Sequence, residues 1–241
     1  MLSSAMLYKR QLRTIVFAIG LSFTLANQGI AATGANFDPI ALYGPEIYFD
    51  VLRKGKPSGL HTVKFERTKD GFIVRSNFEL SVKFLFVTAY RFVYRSESLW
   101  IGGILQHLTA EVEDNGSPFV ISASKQGNSV VVDHDNQKYE VSAPLYPTNH
   151  WNAEVLSQRR VLNTLTGRVN RVTIKPLSRE IVTTEYGDIT ANRYAYTGDL
   201  DTEVWYDDMG RWVKMRFAAR DGSTVEYVCR RCQGNSIEEK Q

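Results

Sequence analysis

The sequence predicts a mainly β protein: a single antiparallel meander curled into a half-barrel or clam, with one short helix on its concave side. Three observations carry this expectation. Turn chemistry recurs at short intervals, at Lys69-Asp70-Gly71, Gly102-Gly103, Asp114-Asn115-Gly116, Gln126-Gly127-Asn128, Asp135-Asn136 and Asp221-Gly222, and Gly, Asn and Asp at such spacing close hairpins. The segments between them are filled by Val, Ile, Thr, Tyr and Phe, whose branched and aromatic side chains suit a pleated surface. Helix-period patterns are scarce. With 241 residues, 43% apolar and 23% charged, the chain can bury a sizeable core, and its composition is neither disordered nor collagenous.

Residues 1–31 read as a signal peptide. Lys9, Arg10 and Arg13 precede a 13-residue apolar run, Thr14 to Ala26, and small residues follow at Gly29 to Ala32. That order of basic, apolar and small residues marks an export leader, and the run is short of the ~20 residues that span a bilayer. Cleavage near Ala31 or Ala32 is expected, with the periplasm as destination and membrane contact only through the uncleaved leader. Three of the 29 Lys and Arg and none of the 26 Asp and Glu lie in the leader, so the mature chain is neutral. A neutral chain has no basic field to recruit phosphates, and nucleic acid is excluded as an expected partner. The remaining organisation is an extended segment over 32–45, one β-rich domain over 46–234, and a disordered tail over 235–241.

The longest pattern runs from Phe72 to Trp100. Phe72, Val74, Phe78, Leu80, Val82, Phe84, Phe86, Tyr90, Phe92, Tyr94 and Trp100 occupy even positions, while Arg75, Asn77, Glu79, Arg91, Arg95 and Glu97 occupy odd ones. A period of two puts these sets on opposite faces of a sheet. One strand rarely exceeds ~10 residues, so two strands are expected, with a bend around Leu85 to Ala89. Phe84, Phe86, Tyr90, Phe92, Tyr94, Trp100 and Trp151 are the candidate ligand-lining residues. The short helix is expected after Pro147, capped by Thr148 or Asn149 and carrying Trp151, Val155 and Leu156 before Thr166-Gly167.

Side-chain parity also sets the register of the C-terminal hairpins. A three-residue loop, Arg220-Asp221-Gly222, pairs Phe217 with Val225, Met215 with Tyr227 and Arg216 with Glu226, which keeps apolar residues on one face. A four-residue loop, Asp207 to Gly210, aligns Val204 with Val213 and sets Trp205 opposite Trp212 on the other face. Those two tryptophans are therefore the candidate partner surface.

The stretch Trp205-Tyr206-Asp207 … Gly210-Arg211-Trp212-Val213 … Asp221-Gly222 resembles the end of an uncharacterised family of exported, β-rich bacterial proteins. The resemblance extends more weakly through Gly59 to Phe65 (GLHTVKF), Glu97 to Leu105 and His150-Trp151. That family is in turn similar to the periplasmic half-barrels typified by the lipoprotein carrier of outer-membrane localisation. The resemblance implies location and fold, and it supplies no catalytic residues.

Cys229-Arg230-Arg231-Cys232 is the one motif with chemistry attached. In an oxidising compartment the pair is expected to form a disulfide; free thiols and a redox pair are the alternatives. Three residues of extended strand separate Cα atoms by ~10 Å, beyond the ~7 Å limit for a bridge, so a bond requires the strand to turn just after Cys229. Two cysteines alone do not make a zinc site. His61, His107, His134 and His150 are scattered, with His134 read as a turn residue and His150 as part of the helix start. No nucleophile elbow, phosphate loop or dinucleotide pattern is present. The expected function is a non-enzymatic periplasmic protein without cofactor or metal, binding an apolar, lipid-like molecule or an envelope component. A structural or assembly protein docking a partner through a sheet edge or the Trp205/Trp212 face is the alternative, and a thiol-disulfide protein using Cys229 and Cys232 is a third reading.

Overall fold

A computed structural model describes residues 37–84, 87–135 and 137–234. The expected signal peptide and C-terminal tail lie outside these residues. The strands are β1 (Glu46–Arg53), β2 (Lys56–Arg67), β3 (Gly71–Phe84), β4 (Val87–Ile101), β5 (Ile104–Asp114), β6 (Ser117–Gln126), β7 (Ser129–His134), β8 (Gln137–Ser142), β9 (Tyr146–Pro147), β10 (Arg160–Leu162), β11 (Val169–Thr184), β12 (Gly187–Gly198), β13 (Thr202–Asp207), β14 (Trp212–Ala218) and β15 (Thr224–Arg231). They form one open sheet in the order β8-β7-β6-β5-β4-β3-β2-β1-β15-β14-β13-β12-β11-β10-β9. Pairing is antiparallel throughout except between β9 and β10.

The two edge strands, β8 and β9, are consecutive in the chain and joined by only Ala143, Pro144 and Leu145. Four residue steps span at most ~14 Å, so the sheet must curl enough to bring the end of β8 near the start of β9. At this seam the Tyr139 hydroxyl donates to the Gly167 carbonyl. Gly167 has φ 70, and a Cβ there would sit 2.5 Å from the His134 ring, so only glycine allows the close approach.

The Phe72 to Trp100 pattern forms β3 and β4, which pair Phe78 with Tyr94, Leu80 with Phe92 and Val82 with Tyr90. Asn77, Glu79, Arg95 and Glu97 are exposed. The last hairpin has the expected register, with Phe217 opposite Val225, Met215 opposite Tyr227 and Arg216 opposite Glu226. Gly222 closes it at φ 73.

The hairpin before it departs from expectation. Val204 pairs with Met215, Trp205 with Lys214 and Tyr206 with Trp212, and the register shifts between Trp205 and Tyr206. Val213 is the extra residue of a β-bulge. The bulge turns Trp212 to the inside and leaves Trp205 on the outer face, so the two are not a pair. Neither is an open partner surface, because each is only 1% exposed. Trp212 is packed against Phe49. Trp205 lies beneath Arg193, Lys214 and Arg216 at 5.0–5.6 Å from its ring, and its indole donates to Glu180 at 2.9 Å. Long cationic side chains of neighbouring strands cover an aromatic face well.

Helical structure also falls elsewhere than expected. The α-helix is α1 (Pro39–Tyr43), within the segment read as extended. Asp38 caps it, accepting from Ile40 N at 3.0 Å and Ala41 N at 3.2 Å, and Pro39 opens its first turn. The segment after Pro147 makes only a 3-10 turn, Ala153–Ser157, capped by Asn152. Its preceding backbone is committed to other partners. The carbonyls of His150 and Trp151 accept from the Tyr206 and Tyr43 hydroxyls, each at 2.8 Å. His150 itself sits at φ 56, in the left-handed region, which an α-helix cannot include.

Cys229 and Cys232 are bonded, with Cα atoms 5.9 Å apart. The strand shortens by another bulge. Tyr48 faces Arg231 while Phe49 faces Cys229, so Arg230 is the extra residue that brings the cysteines within reach. Both are buried, as a structural staple would be. Replacing both by Ser is expected to cost about 2 kcal/mol by the chain-entropy expression for so small a loop, with the fold retained. Thermal unfolding of the double variant checks this.

Candidate functional site

Successive turns of an antiparallel meander alternate between its two ends, and the two ends of this sheet are built differently. One end is plugged. Trp151 meets Trp100 at 5.0 Å, Phe65 at 5.5 Å and Phe37 at 5.8 Å between ring centres. Tyr43 of α1 stacks on Phe65 and also accepts from the Trp212 amide at 2.8 Å. Trp100 and Trp151, expected to line a ligand site, are instead the packed floor beneath it.

The other end is open. The turns β1–β2, β5–β6, β10–β11, β12–β13 and β14–β15 gather there and surround a cavity of about 590 Å³. Its walls include Phe78, Leu80, Val82, Phe92, Phe119, Met215, Phe217, Val225 and Tyr227. These side chains meet because each strand sends alternate residues inward and curvature brings distant strands face to face. Phe78 stacks on Tyr227 at 5.4 Å and meets Phe92 edge-on at 5.8 Å. Of the seven candidate lining residues, Tyr90, Phe92 and Tyr94 line this space. Phe84 ends β3, and it and Phe86 are outside the residues whose side chains are described.

The mouth is charged. Arg53 pairs with Asp221. Arg220 meets Asp114 at 2.8 Å, and the same carboxylate accepts from the Tyr90 hydroxyl at 2.8 Å. Exposed pairs of this kind add little stability, and they keep the rim wet while the interior stays apolar.

At the inner end of the cavity stand His61, Asn149 and His150. Asn149 Oδ1 accepts from the Tyr94 hydroxyl at 3.0 Å and the Thr164 hydroxyl at 3.3 Å. His61 packs among Tyr227, Trp212, Phe49 and Phe78. Burial holds its pKa down at about 3, with the nearby His150 acting in the same direction, and burial alone holds His150 at about 3. Both imidazoles are therefore neutral at physiological pH. Burial pushes the Tyr94 and Tyr227 hydroxyls up, so they stay protonated.

Sequence reasoning reached the aromatic wall and passed over this inner end. The signal for His61 was its parity, because His61, Val63 and Phe65 alternate on β2 and all three are buried. Nothing comparable marks His150, whose segment is irregular.

A curled antiparallel sheet around an apolar cavity open at one end defines a β-barrel-like protein with an internal site. The chain belongs to the family of the domain of unknown function DUF6134, which matches residues 49–230. A crystal structure of a β-barrel-like protein of the domain of unknown function DUF1849 from Brucella abortus is similar in fold, with a TM-score of 0.56 at 11% identity, covering 78% of this chain and 95% of that one. No curated protein matches the chain.

Proposed function

We propose that this protein is a non-enzymatic, exported carrier that holds an apolar, lipid-like molecule inside its curled sheet, in the periplasm. The observation that carries the reading is the cavity. Its 590 Å³ falls in the size range of small-molecule sites, and its lining joins an aromatic and aliphatic wall to polar residues such as Asp114, Asn163, Asp201 and Asp221. A packed interior would favour an assembly protein, and so would an exposed tryptophan face; both tryptophans are buried. The leader-like N-terminus and the resemblance to periplasmic lipoprotein-carrier half-barrels point the same way.

An environment-sensitive apolar dye tests the reading. The native chain is expected to bind it with a saturable rise in emission. Phe92→Arg, which sets a cation into the wall beside Phe78, is expected to weaken binding at least tenfold, because an unpaired charge in an apolar site carries a large desolvation cost. Folding of the variant is checked by circular dichroism. Absence of saturable binding to native protein overturns the carrier reading.

A further inference from the structure

The rim of the cavity is not uniform. A groove of about 700 Å³ lies against the β1–β2 turn, and its lining includes Arg53, Lys54, Lys56, Leu60, Ser81 and Val82. Arg53 and Val82 also line the cavity, so the groove continues the mouth. It passes over the lip, because Leu60 is 49% exposed and has the outward parity of β2, opposite to buried His61 and Val63. Among the described residues the charged side chains of the groove are these three cations, with no carboxylate. Arg53 is paired with Asp221, which leaves Lys54 and Lys56 to set the local field. The other acids of the cavity lining are turned away from it: Asp114 is held by Arg220, and Asp201 stands at the β12–β13 turn, with β13 three strands from β1. The backbone of Lys54 supplies a second observation. Lys54 and Gly55 have φ 51 and 72, the two-residue hairpin turn that favours Asn-Gly, and the β5–β6 turn does use Asn115-Gly116, at φ 50 and 87. A lysine in the left-handed region carries a backbone cost that asparagine largely avoids. The turn therefore holds a cation where its geometry favours a short polar residue, and it holds it in place, since Lys54 N donates to the Thr224 carbonyl at 2.9 Å.

We propose that the groove is the head-group site of a carried amphiphile: the tail enters the cavity, and an anionic head, a carboxylate, sulfate or phosphate, lies over the lip against Lys54 and Lys56. The inference rests on the carrier reading and adds the charge class of the ligand. At the rim the head keeps most of its water, so no buried charge has to be compensated. Two ammonium groups beside it supply an attraction that salt screens, and a cationic head meets repulsion at the same place. Val82 and Leu60 give the carbons next to the head an apolar bed.

Displacement of the bound dye at pH 7.5 and low salt by two competitors with the same ten-carbon tail, decyl sulfate and decyltrimethylammonium, tests this. The sulfate is expected to displace about fivefold more tightly or better, and about 0.3 M sodium chloride is expected to shrink that preference at least twofold. Lys54→Asn combined with Lys56→Gln is expected to weaken decyl sulfate about threefold or more while leaving uncharged 1-decanol unchanged. Lys54→Asn alone is expected to unfold no earlier than the native chain, because asparagine suits the left-handed position. A trimethylammonium that equals the sulfate, or a sulfate preference that survives the double variant, overturns the head-group site and leaves the carrier reading intact. A lower thermal midpoint in Lys54→Asn assigns the lysine to the fold and overturns the site as well. A native chain that binds no dye overturns both.

Discussion

Acidification from pH 6.5 to 4.5 is expected to remove roughly 5 kcal/mol of folding stability, through His61 and His150 alone. The folded protein keeps both imidazoles neutral down to about pH 3, whereas in the unfolded chain each takes a proton near pH 6.5. Between those values the unfolded state binds more protons, so lowering the pH pulls the equilibrium toward unfolding. The stability these groups contribute is full above pH 6.5 and is lost as pH falls toward 3, at about 1.4 kcal/mol per pH unit for each histidine. Because whole domains are stable by only ~5–15 kcal/mol, the loss is large enough to unfold a marginal one. Urea midpoints measured from pH 7 to pH 4.5 check this. His61→Phe combined with His150→Asn is expected to flatten the slope, asparagine being a residue that tolerates the left-handed backbone at position 150. An unchanged midpoint in native protein across that range would show that the imidazoles titrate normally.

Trp212→Ala is expected to destabilise the fold by about 3–5 kcal/mol. The ring lies 4.2 Å from Phe49, 5.6 Å from His61, 5.7 Å from His150 and 6.0 Å from Tyr227 between centres, and its Nε1 donates to the Lys214 carbonyl at 3.0 Å. It sits where the plugged end meets the cavity, so truncation joins a new void to an existing one and rigid aromatic neighbours cannot close it. Trp205→Ala, equally buried, is expected to cost clearly less. Its cover is Arg193, Lys214 and Arg216, flexible stems that can settle into the gap. Denaturant unfolding of the two variants side by side checks the contrast, and equal losses would refute it.

The contrast shows where sequence reading holds. Parity along β3, β4, β14 and β15 is a local property, since a strand with one buried face must alternate, and turn residues such as Gly222 set the loop length. The pairing of Phe217 with Val225 and the inward setting of Tyr90, Phe92 and Tyr94 were therefore legible. A bulge breaks parity by one residue and carries no obligatory residue type. Val213 and Arg230 look like any strand residues, yet the first separates Trp205 from Trp212 and the second brings Cys229 to Cys232. The helix after Pro147 failed for another reason: hydroxyls from Tyr43 and Tyr206, about 110 and 55 positions away in the chain, claim its carbonyls. Asp38-Pro39 is an ordinary helix start within the segment expected to be extended, and the helix it opens is only five residues long.

By itself the sequence determined a turn-punctuated antiparallel meander with one aromatic face, because alternation and turn chemistry act over a few residues. The curling of the open sheet was decided by the three-residue link between its edge strands, which brings the end of β8 near the start of β9. Only the tertiary structure decided which aromatics pack and which surround space. Trp100 and Trp151 share their character with Tyr90 and Phe92, but they fall at the end where α1 and the Asn149 to Ser157 segment fill the interior. No local rule states how far a curled sheet is filled; that depends on what the rest of the chain brings into its hollow, and here it stops at His61 and His150.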